Sequence, residues 1–320
     1  MNAEETGLVG DIGGSNARFA LVRADGVTTS ARVYAVADYP SLSDAIARYL
    51  SEEIEAARPS QAVLAVAAPV AGDAIALTNH PWEFSAEVLR ERFKFRRLRV
   101  INDFVANALA VPHLIEADLL QIGSGQPAKN APIGVIGPGT GFGVSALVHA
   151  AGEDWPIETE GGHVTMTPAD ARESTVLDLM RKRFDHVSAE RILSGPGLVN
   201  LYDALCELAH VRAAPLTPAE ITDPPTWTAD SYAREATTMF CAMLGTLAGN
   251  LALTFGARGG IYIAGGIVPK LGAIFVQSEF RARFEAKGRF RDYLAAIPTY
   301  VIRHPLPALL GAAALLRRER

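Results

Sequence analysis

Two glycine-rich stretches combine residue types suited to phosphate chemistry. The first is Leu8-Val9-Gly10-Asp11-Ile12-Gly13-Gly14-Ser15-Asn16, continuing as Ala17-Arg18-Phe19-Ala20-Leu21-Val22. An apolar run enters, an acid sits near its end, glycines turn the chain, and a second strand-forming run leaves. This pattern predicts strand, tight turn, strand, with no room for a helix. Glycines let backbone N–H groups close on an anion, and Ser15 adds a hydroxyl. Asp11, fixed at the turn, suits Mg²⁺ held through water, because Mg²⁺ takes few carboxylates together with phosphate oxygens. The second stretch, Ile133-Gly134-Val135-Ile136-Gly137-Pro138-Gly139-Thr140-Gly141-Phe142-Gly143, leaves through Val144-Ser145-Ala146-Leu147-Val148 and has the same form, with Thr140 as the turn hydroxyl. Two such hairpins predict an internal duplication with nucleotide held between the halves.

Other phosphate loops do not fit. The chain contains no G-x-x-x-x-G-K-[ST], which excludes a Walker-type ATPase. Gly141-x-Gly143-x-x-Ala146 runs into a strand-like segment rather than a helix, which argues against a dinucleotide site.

Further polar candidates each admit a plain structural role. Asn102-Asp103 stands between the strand-like Leu98-Arg99-Val100-Ile101 and the helical Phe104 to Ala110. Open α/β sheets bind ligands at that place, and Asn and Asp are also ordinary helix caps. The two roles are compatible, since a cap holds its carboxylate still. Glu160-Gly161-Gly162-His163 could place Glu160 and His163 on one small polar ligand, or form an exposed turn. Glu190, within Val187 to Gly197, reads alone as a surface acid. Gly265-Gly266, after the apolar Ile261-Tyr262-Ile263, offers a flat turn to an adenine or ribose, or simply ends a strand.

The elements that must position these residues follow from periodicity. Ser41 opens a helix with apolar residues at Leu42, Ala45, Ile46, Tyr49, Leu50 and Ile54, a 3.6-residue period. Ala62 to Ala67 reads as a buried strand, Gly72-Asp73 as a turn, and Ser85 as the cap of another helix. Strands alternating with helices after an opening hairpin predict an α/β domain. The uncharged window 236–257 contains Gly245-x-x-x-Gly249, four threonines and Asn250, and reads as a helix in a protein interior rather than a membrane span. Ala213 to Trp227 holds four prolines and reads as a surface excursion. Ala308 to Leu316 predicts a terminal helix docked on a core.

Composition sets the frame. The 320 residues allow two domains, and 49% hydrophobic with 20% charged residues is a globular balance. Net charge is −5, and the basic groups Arg96-Arg97-Leu98-Arg99 and Arg317-Arg318 read as solvated flanks, not a nucleic-acid surface. The N-terminal residues lack an export pattern. Cys206 and Cys241 are too few for a cysteine zinc site and read as buried thiols in a reducing cytoplasm.

Taken together the motifs L-V-G-D-I-G-G-S-N-A-R, T-N-H-P-W, I-N-D-F, G-P-G-T-G-F-G, E-G-G-H, S-A-E-R-I-L-S-G-P-G-L-V-N-L-Y and I-A-G-G-I-V-P-K resemble the bacterial glucokinase family, within the sugar kinase, actin and heat-shock ATPase superfamily. The resemblance covers nearly the whole chain. Ser15 stands where threonine is common and Pro138 where a small residue is common. The resemblance implies an α/β, two-domain actin-like ATPase (ribonuclease H-like) fold with a nucleotide and sugar cleft between domains. Residues 1–113 plus 304–320 would form the small α/β domain and 114–303 the large α+β domain. It implies ATP and Mg²⁺ as cofactors, D-glucose as substrate, and a cytoplasmic homodimer feeding glycolysis. Carried over by motif, Asn79, Asn102, Asp103, Glu160, His163 and Glu190 would hold glucose, with Asp103 the general base. Gly10, Asp11, Ile12, Gly13, Gly14, Ser15, Asn16, Gly139, Thr140, Gly141, Gly265 and Gly266 would meet the nucleotide, with Asp11 on Mg²⁺. The rivals are a related kinase of another hexose, a non-catalytic sugar sensor and a filament-forming actin relative.

Overall fold

The computed structural model describes residues 7–53, 58–78, 80–227 and 231–319. They form two compact units: residues up to Ile115 together with those from His304, and Glu116–Arg303.

In the first unit the opening glycine stretch is a hairpin of β1 (Gly7–Ile12) and β2 (Asn16–Val22), closed by a hydrogen bond from Gly13 N–H to the Asn16 carbonyl at 2.9 Å. β3 (Thr28–Ala35) extends it antiparallel. The chain then passes through helix α1 (Leu42–Glu52) and returns as β4 (Gln61–Val66), parallel to β1. A small antiparallel pair, β5 (Ala74–Ala76) and β6 (Glu83–Ser85), precedes helix α2 (Ala86–Phe93). β7 (Arg97–Asn102) follows, parallel to β4, and runs straight into α3 (Asp103–Ala110). The sheet order is β3-β2-β1-β4-β7. Parallel strands need a crossover, and α1 and α2 supply it.

The caps read from the sequence are present. Ser41 Oγ accepts from Asp44 N–H and Ser85 Oγ from Val88 N–H. β4 is buried along its whole length, as a central strand covered on both faces requires. The helix Pro307–Arg318 docks against β1 and α3. A side chain at Gly311 would overlap the Ala106 carbonyl of α3, and a Cβ at Gly7 would lie 2.6 Å from Leu316 Cδ1.

The second unit repeats the five-strand plan and adds a sixth strand. β8 (Leu119–Ile122) comes first, then β9 (Ile133–Pro138), β10 (Phe142–Ala150) and β11 (Glu153–Glu158) as an antiparallel meander. β12 (Gly260–Ile263) is parallel to β9, and β13 (Thr299–Ile302) is parallel to β12. The order is β11-β10-β9-β12-β13-β8. Three antiparallel strands followed by two parallel ones therefore occur twice. The second copy differs in the length of its crossover, which contains α4 (Ala171–Met180), α5 (Gly195–Leu208), α6 (Pro218–Ile221) and α7 (Tyr232–Phe255).

Helix α7 lies in the core of this unit. A side chain at Gly245 would overlap the Phe280 carbonyl, and a Cβ at Gly249 would lie 2.6 Å from that of Phe284. The two glycines thus admit the backbone of the helix Phe280–Glu285. Both cysteines are buried and free, and burial pushes the Cys241 thiol up to about 12, which leaves it unreactive at neutral pH.

The proline-rich Ala213 to Trp227 runs over the surface for most of its length, as its composition predicts, but it contains a short helix and is anchored at Ile221. Thr217 and Glu220 form a capping box that starts α6, Ile221 is fully buried, and the Ile221 carbonyl accepts from the Trp227 indole and the Thr237 hydroxyl. Pro218 at the first helical turn starts the helix rather than breaking it.

Candidate active site

In the first unit the candidate residues converge on one edge of the sheet. Ile12 is level with Val66, and Val66 with Asn102. The glycine turn after β1 and the Asn102-Asp103 pair after β7 therefore stand at the same C-terminal edge, two strands apart. Two strand spacings separate them by roughly 10 Å.

Asn102 is the cap of α3. Its Oδ1 accepts from Phe104 N–H at 2.8 Å and Val105 N–H at 3.3 Å, while Nδ2 donates to the Ala68 carbonyl at 3.3 Å. This fixes the start of the helix whose first residue is Asp103. The Asp103 carboxylate is half-buried, and its Oδ1 accepts from Phe104 N–H at 3.0 Å. A negative group is favoured at this helix start. One turn on, Asn107 Nδ2 donates to the Asp103 carbonyl at 3.0 Å, and Asn107 Oδ1 is buried with no protein hydrogen bond.

Asp11 pairs across the hairpin with Arg18. Register places them opposite each other, and Arg18 Nη1 lies 3.0 Å from Asp11 Oδ2. Burial pushes the Asp11 carboxyl above the ordinary carboxylate range, and the adjacent guanidinium draws it part of the way back. Among the described residues no group of three or more His, Cys, Asp or Glu side chains is placed to hold a metal ion. A single carboxylate matches the donor set of Mg²⁺ that arrives on phosphate oxygens, and not that of a resident metal centre. Gly10 has a packing role, since a Cβ there would lie 2.8 Å from Leu64 Cδ2. A Cβ at Gly13 would meet only the Asn16 carbonyl, at 3.6 Å. Ser15 is exposed at the turn and Gly14 half-buried. Asn79 lies outside the described residues. Its neighbours are pinned, with Thr78 N–H donating to the Ala67 carbonyl and the buried Trp82 donating its indole N–H to the Tyr39 carbonyl.

In the second unit three segments meet around the other hairpin. The turn Gly139-Thr140-Gly141 is closed by Gly139 N–H to the Gly141 carbonyl at 2.8 Å, and the Gly139 carbonyl accepts from Gly195 N–H at 2.8 Å. The E-G-G-H segment lies on β10. A side chain at Gly162 would overlap the Phe142 carbonyl, and a Cβ at Gly161 would lie 2.9 Å from Val144. Glu160 and His163 project from this turn, each more than half exposed, with His163 Nε2 4.0 Å from Glu160 Oε2. The segment that carries Glu190 pairs with the strand-like chain after His163, through Met166 N–H to the Val187 carbonyl and Ala189 N–H to the Val164 carbonyl.

Glu190 joins all three segments. Its N–H donates to the Gly162 carbonyl at 2.9 Å, its carbonyl accepts from Ser194 Oγ at 2.7 Å, and its Oε2 accepts from Phe142 N–H at 2.8 Å. The third glycine turn splits in role. A side chain at Gly265 would overlap the Pro138 carbonyl, whereas Gly266 faces open space. Gly265 thus seats the end of β12 against β9, and Gly266 is the position with room for a ligand.

Known proteins match this chain over nearly its whole length. A family model described as Glucokinase matches residues 8–319. The chain belongs to the glucokinase family. It is 51% identical over 310 residues to a glucokinase of Paramagnetospirillum magneticum, covering 97% of each. A crystal structure of glucokinase from an Antarctic psychrotroph superposes with a TM-score of 0.87 at 37% identity, covering 98% of this chain and 99% of that one. A ROK family glucokinase from Streptomyces griseus, solved with glucose and AMPPNP, shares the fold at 18% identity with a TM-score of 0.67, over 98% of this chain and all of that one. The fold is that of the actin-like sugar kinases, and the glucokinase activity is ATP-dependent phosphorylation of glucose.

Arg18, Asn107 and the Phe142 N–H are site features that motif reading passed over. Arg18 could have been found by counting back across the hairpin from its turn, which sets Asp11 opposite Arg18. No local signal leads to the other two.

Proposed function

We propose that the chain transfers the γ-phosphoryl group of ATP to the 6-hydroxyl of D-glucose with Asp103 as proton acceptor. Asp103 takes the hydroxyl proton as the sugar oxygen attacks phosphorus in line. The new bond joins that oxygen to the γ-phosphorus, and the bond to the β-phosphate oxygen breaks to release ADP. The observation that carries this reading is the level sheet edge of the first unit, where the phosphate-type turn and the helix-start carboxylate stand two strands apart. Positioning and electrostatics supply most of the catalysis in such transfers.

Glucose is held by Asn79, Asn102, Asp103, Glu160, His163 and Glu190. Carboxylates and an imidazole match the alternating donors and acceptors of sugar hydroxyls. The turns around Gly13, Gly14, Ser15, Asn16, Gly139 and Thr140 face the phosphates with the Ser15 and Thr140 hydroxyls and with turn N–H groups other than those of Gly13 and Gly139, which close the turns themselves, and Gly266 leaves room for the nucleoside. Asp11 is the residue that would hold Mg²⁺ brought by ATP, an ion that would neutralise charge on the phosphate oxygens. The chain acts as a cytoplasmic homodimer whose product enters glycolysis; sedimentation as a monomer at micromolar concentration would remove the dimer.

The deciding experiment is a coupled assay with MgATP across glucose, mannose, fructose, galactose and N-acetylglucosamine. Glucose 6-phosphate forms rapidly, and a misplaced hydroxyl costs roughly 10⁴ or more in kcat/KM. Comparable kcat/KM for galactose would sink the specificity assignment, and hexose binding without turnover would turn the site into a sensor. Chelation of divalent cations abolishes turnover, and added Mg²⁺ restores it.

A further inference from the structure

Gly141 is a glycine without a backbone reason to be one. It is not among the residues with positive φ, so an L side chain would cause no strain of the left-handed kind. Nor does its missing side chain face open space. A Cβ at 141 would lie 2.5 Å from Glu190 Oε2 and 3.4 Å from its Cδ, whereas a Cβ at Gly139, two residues earlier in the same turn, would meet nothing within 4 Å. The two turn glycines therefore answer to different demands.

Glu190 has little freedom to yield. Its backbone is held on both sides, by the Gly162 carbonyl and by the Ser194 hydroxyl, and its Oε2 is held by Phe142 N–H. Phe142 is the first residue of β10, directly after Gly141. The other oxygen, Oε1, has no protein hydrogen bond among the described residues. The carboxylate thus presents one oxygen to the nucleotide hairpin and keeps the other available.

We propose that Gly141 is a positioning residue for the sugar rather than for the nucleotide: its missing side chain is the clearance that lets Glu190 dock one carboxylate oxygen on the Phe142 N–H and aim the other at glucose. The proposal rests on the reading of Glu190 as a sugar-binding residue. It makes Gly139 the turn glycine that serves phosphate, and Glu190 the link by which a bound hexose steadies the phosphate hairpin.

The test is a kinetic crossover with a double-mutant cycle. Gly141→Ala lowers kcat/KM for glucose about 10- to 100-fold, the scale of a lost hydrogen bond to a charged group, with the KM for ATP far less affected. Gly139→Ala does the reverse and raises the KM for ATP. In a Glu190→Ala background, where no carboxylate remains to collide, Gly141→Ala has no further effect on kcat/KM for glucose. A full Gly141→Ala effect that persists in that background overturns the proposal, as does an unchanged glucose kcat/KM in an active Gly141→Ala chain. If Gly141→Ala alone fails to fold, the Glu190→Ala double variant folds; a double variant that also fails to fold overturns the proposal. A wild-type chain that binds no hexose, by calorimetry, overturns the sugar reading itself. That result is distinct from a wild type that binds glucose beside a Gly141→Ala chain that binds it equally well.

Discussion

The two sheets share a five-strand order but hold their carboxylates by different means. In the first unit the acid at the hairpin is part of the hairpin, and its counter-ion sits directly across the ladder, Asp11 against Arg18. In the second unit the hairpin carries no acid. It takes Glu190 from a segment 48 residues downstream and binds it through a backbone N–H at Phe142. One hairpin has its own charge and the other holds one supplied by its insertion. The two copies therefore share a backbone geometry, and the long crossover between β11 and β12 supplies the second hairpin with the acid it lacks. In the proposed assignment the first unit governs proton and phosphoryl transfer, and the second governs recognition of hydroxyls.

That division can be broken by experiment. The largest effect is expected from Asp103→Asn, which lowers kcat by about 10²–10⁴ with little change in the KM for glucose; wild-type turnover would return Asp103 to a helix-start residue. Next, Glu160→Gln in the second unit lowers kcat/KM for glucose roughly 10- to 100-fold, mainly through KM. A kcat loss as deep as that of Asp103→Asn would erase the distinction between the units.

A smaller, structural effect comes from Gly311→Ala. The added methyl would overlap the Ala106 carbonyl, and the forced shift of α3 costs about 1–3 kcal/mol, read as a fall in melting temperature together with lower kcat. An unchanged melting curve would mean that the two helices separate without cost.

The smallest effect is a change in pH dependence. Arg18 favours the ionised form of Asp11 against burial. In Arg18→Gln burial acts unopposed, Asp11 ionises at higher pH, and the acid limb of kcat/KM for MgATP moves up. The accompanying loss of thermal stability is present at neutral pH and vanishes once acid has protonated Asp11 in both folded and unfolded chains. An acid limb that stays in place would remove Asp11 from metal binding.

What could be read from the sequence was local. Both hairpins, the caps at Ser41 and Ser85 and the interior helix around Gly245 and Gly249 follow from residues within a few positions of one another. Asn102 read as both cap and candidate ligand, and the cap geometry places Asp103 at the first helical position. The proline-rich Ala213 to Trp227 follows the surface as its composition predicts, but the short helix inside it is hard to read, because prolines punctuate loops and also start helices. Only the pairing of Thr217 with Glu220 three residues on separates the two cases. Glu190 was invisible as a partner of Phe142 because that contact is set by how three separate segments pack, and no spacing rule reaches across 48 positions. The glycines divide in the same way. Their presence is plain in the sequence, but whether the missing side chain faces protein, as at Gly265, or open space, as at Gly139, is decided by chain from elsewhere.

The helix Pro307–Arg318 has a consequence for how the molecule is made. It packs on α3 and β1, and the Glu319 carbonyl accepts from Arg97 across 222 positions of sequence. The second unit is one continuous stretch, Glu116–Arg303, whereas the first is completed only by the chain from His304 onward. The first unit therefore begins earlier in the sequence and is completed later than the second, since the helix that buries α3 follows the whole of the second unit. The proposed proton acceptor therefore sits on an element whose support comes from residues about 200 positions further along the chain, in Pro307–Arg318. A chain cut before Pro307 would lack the helix that buries α3, and would leave the start of α3, with the proposed acceptor Asp103, without that support.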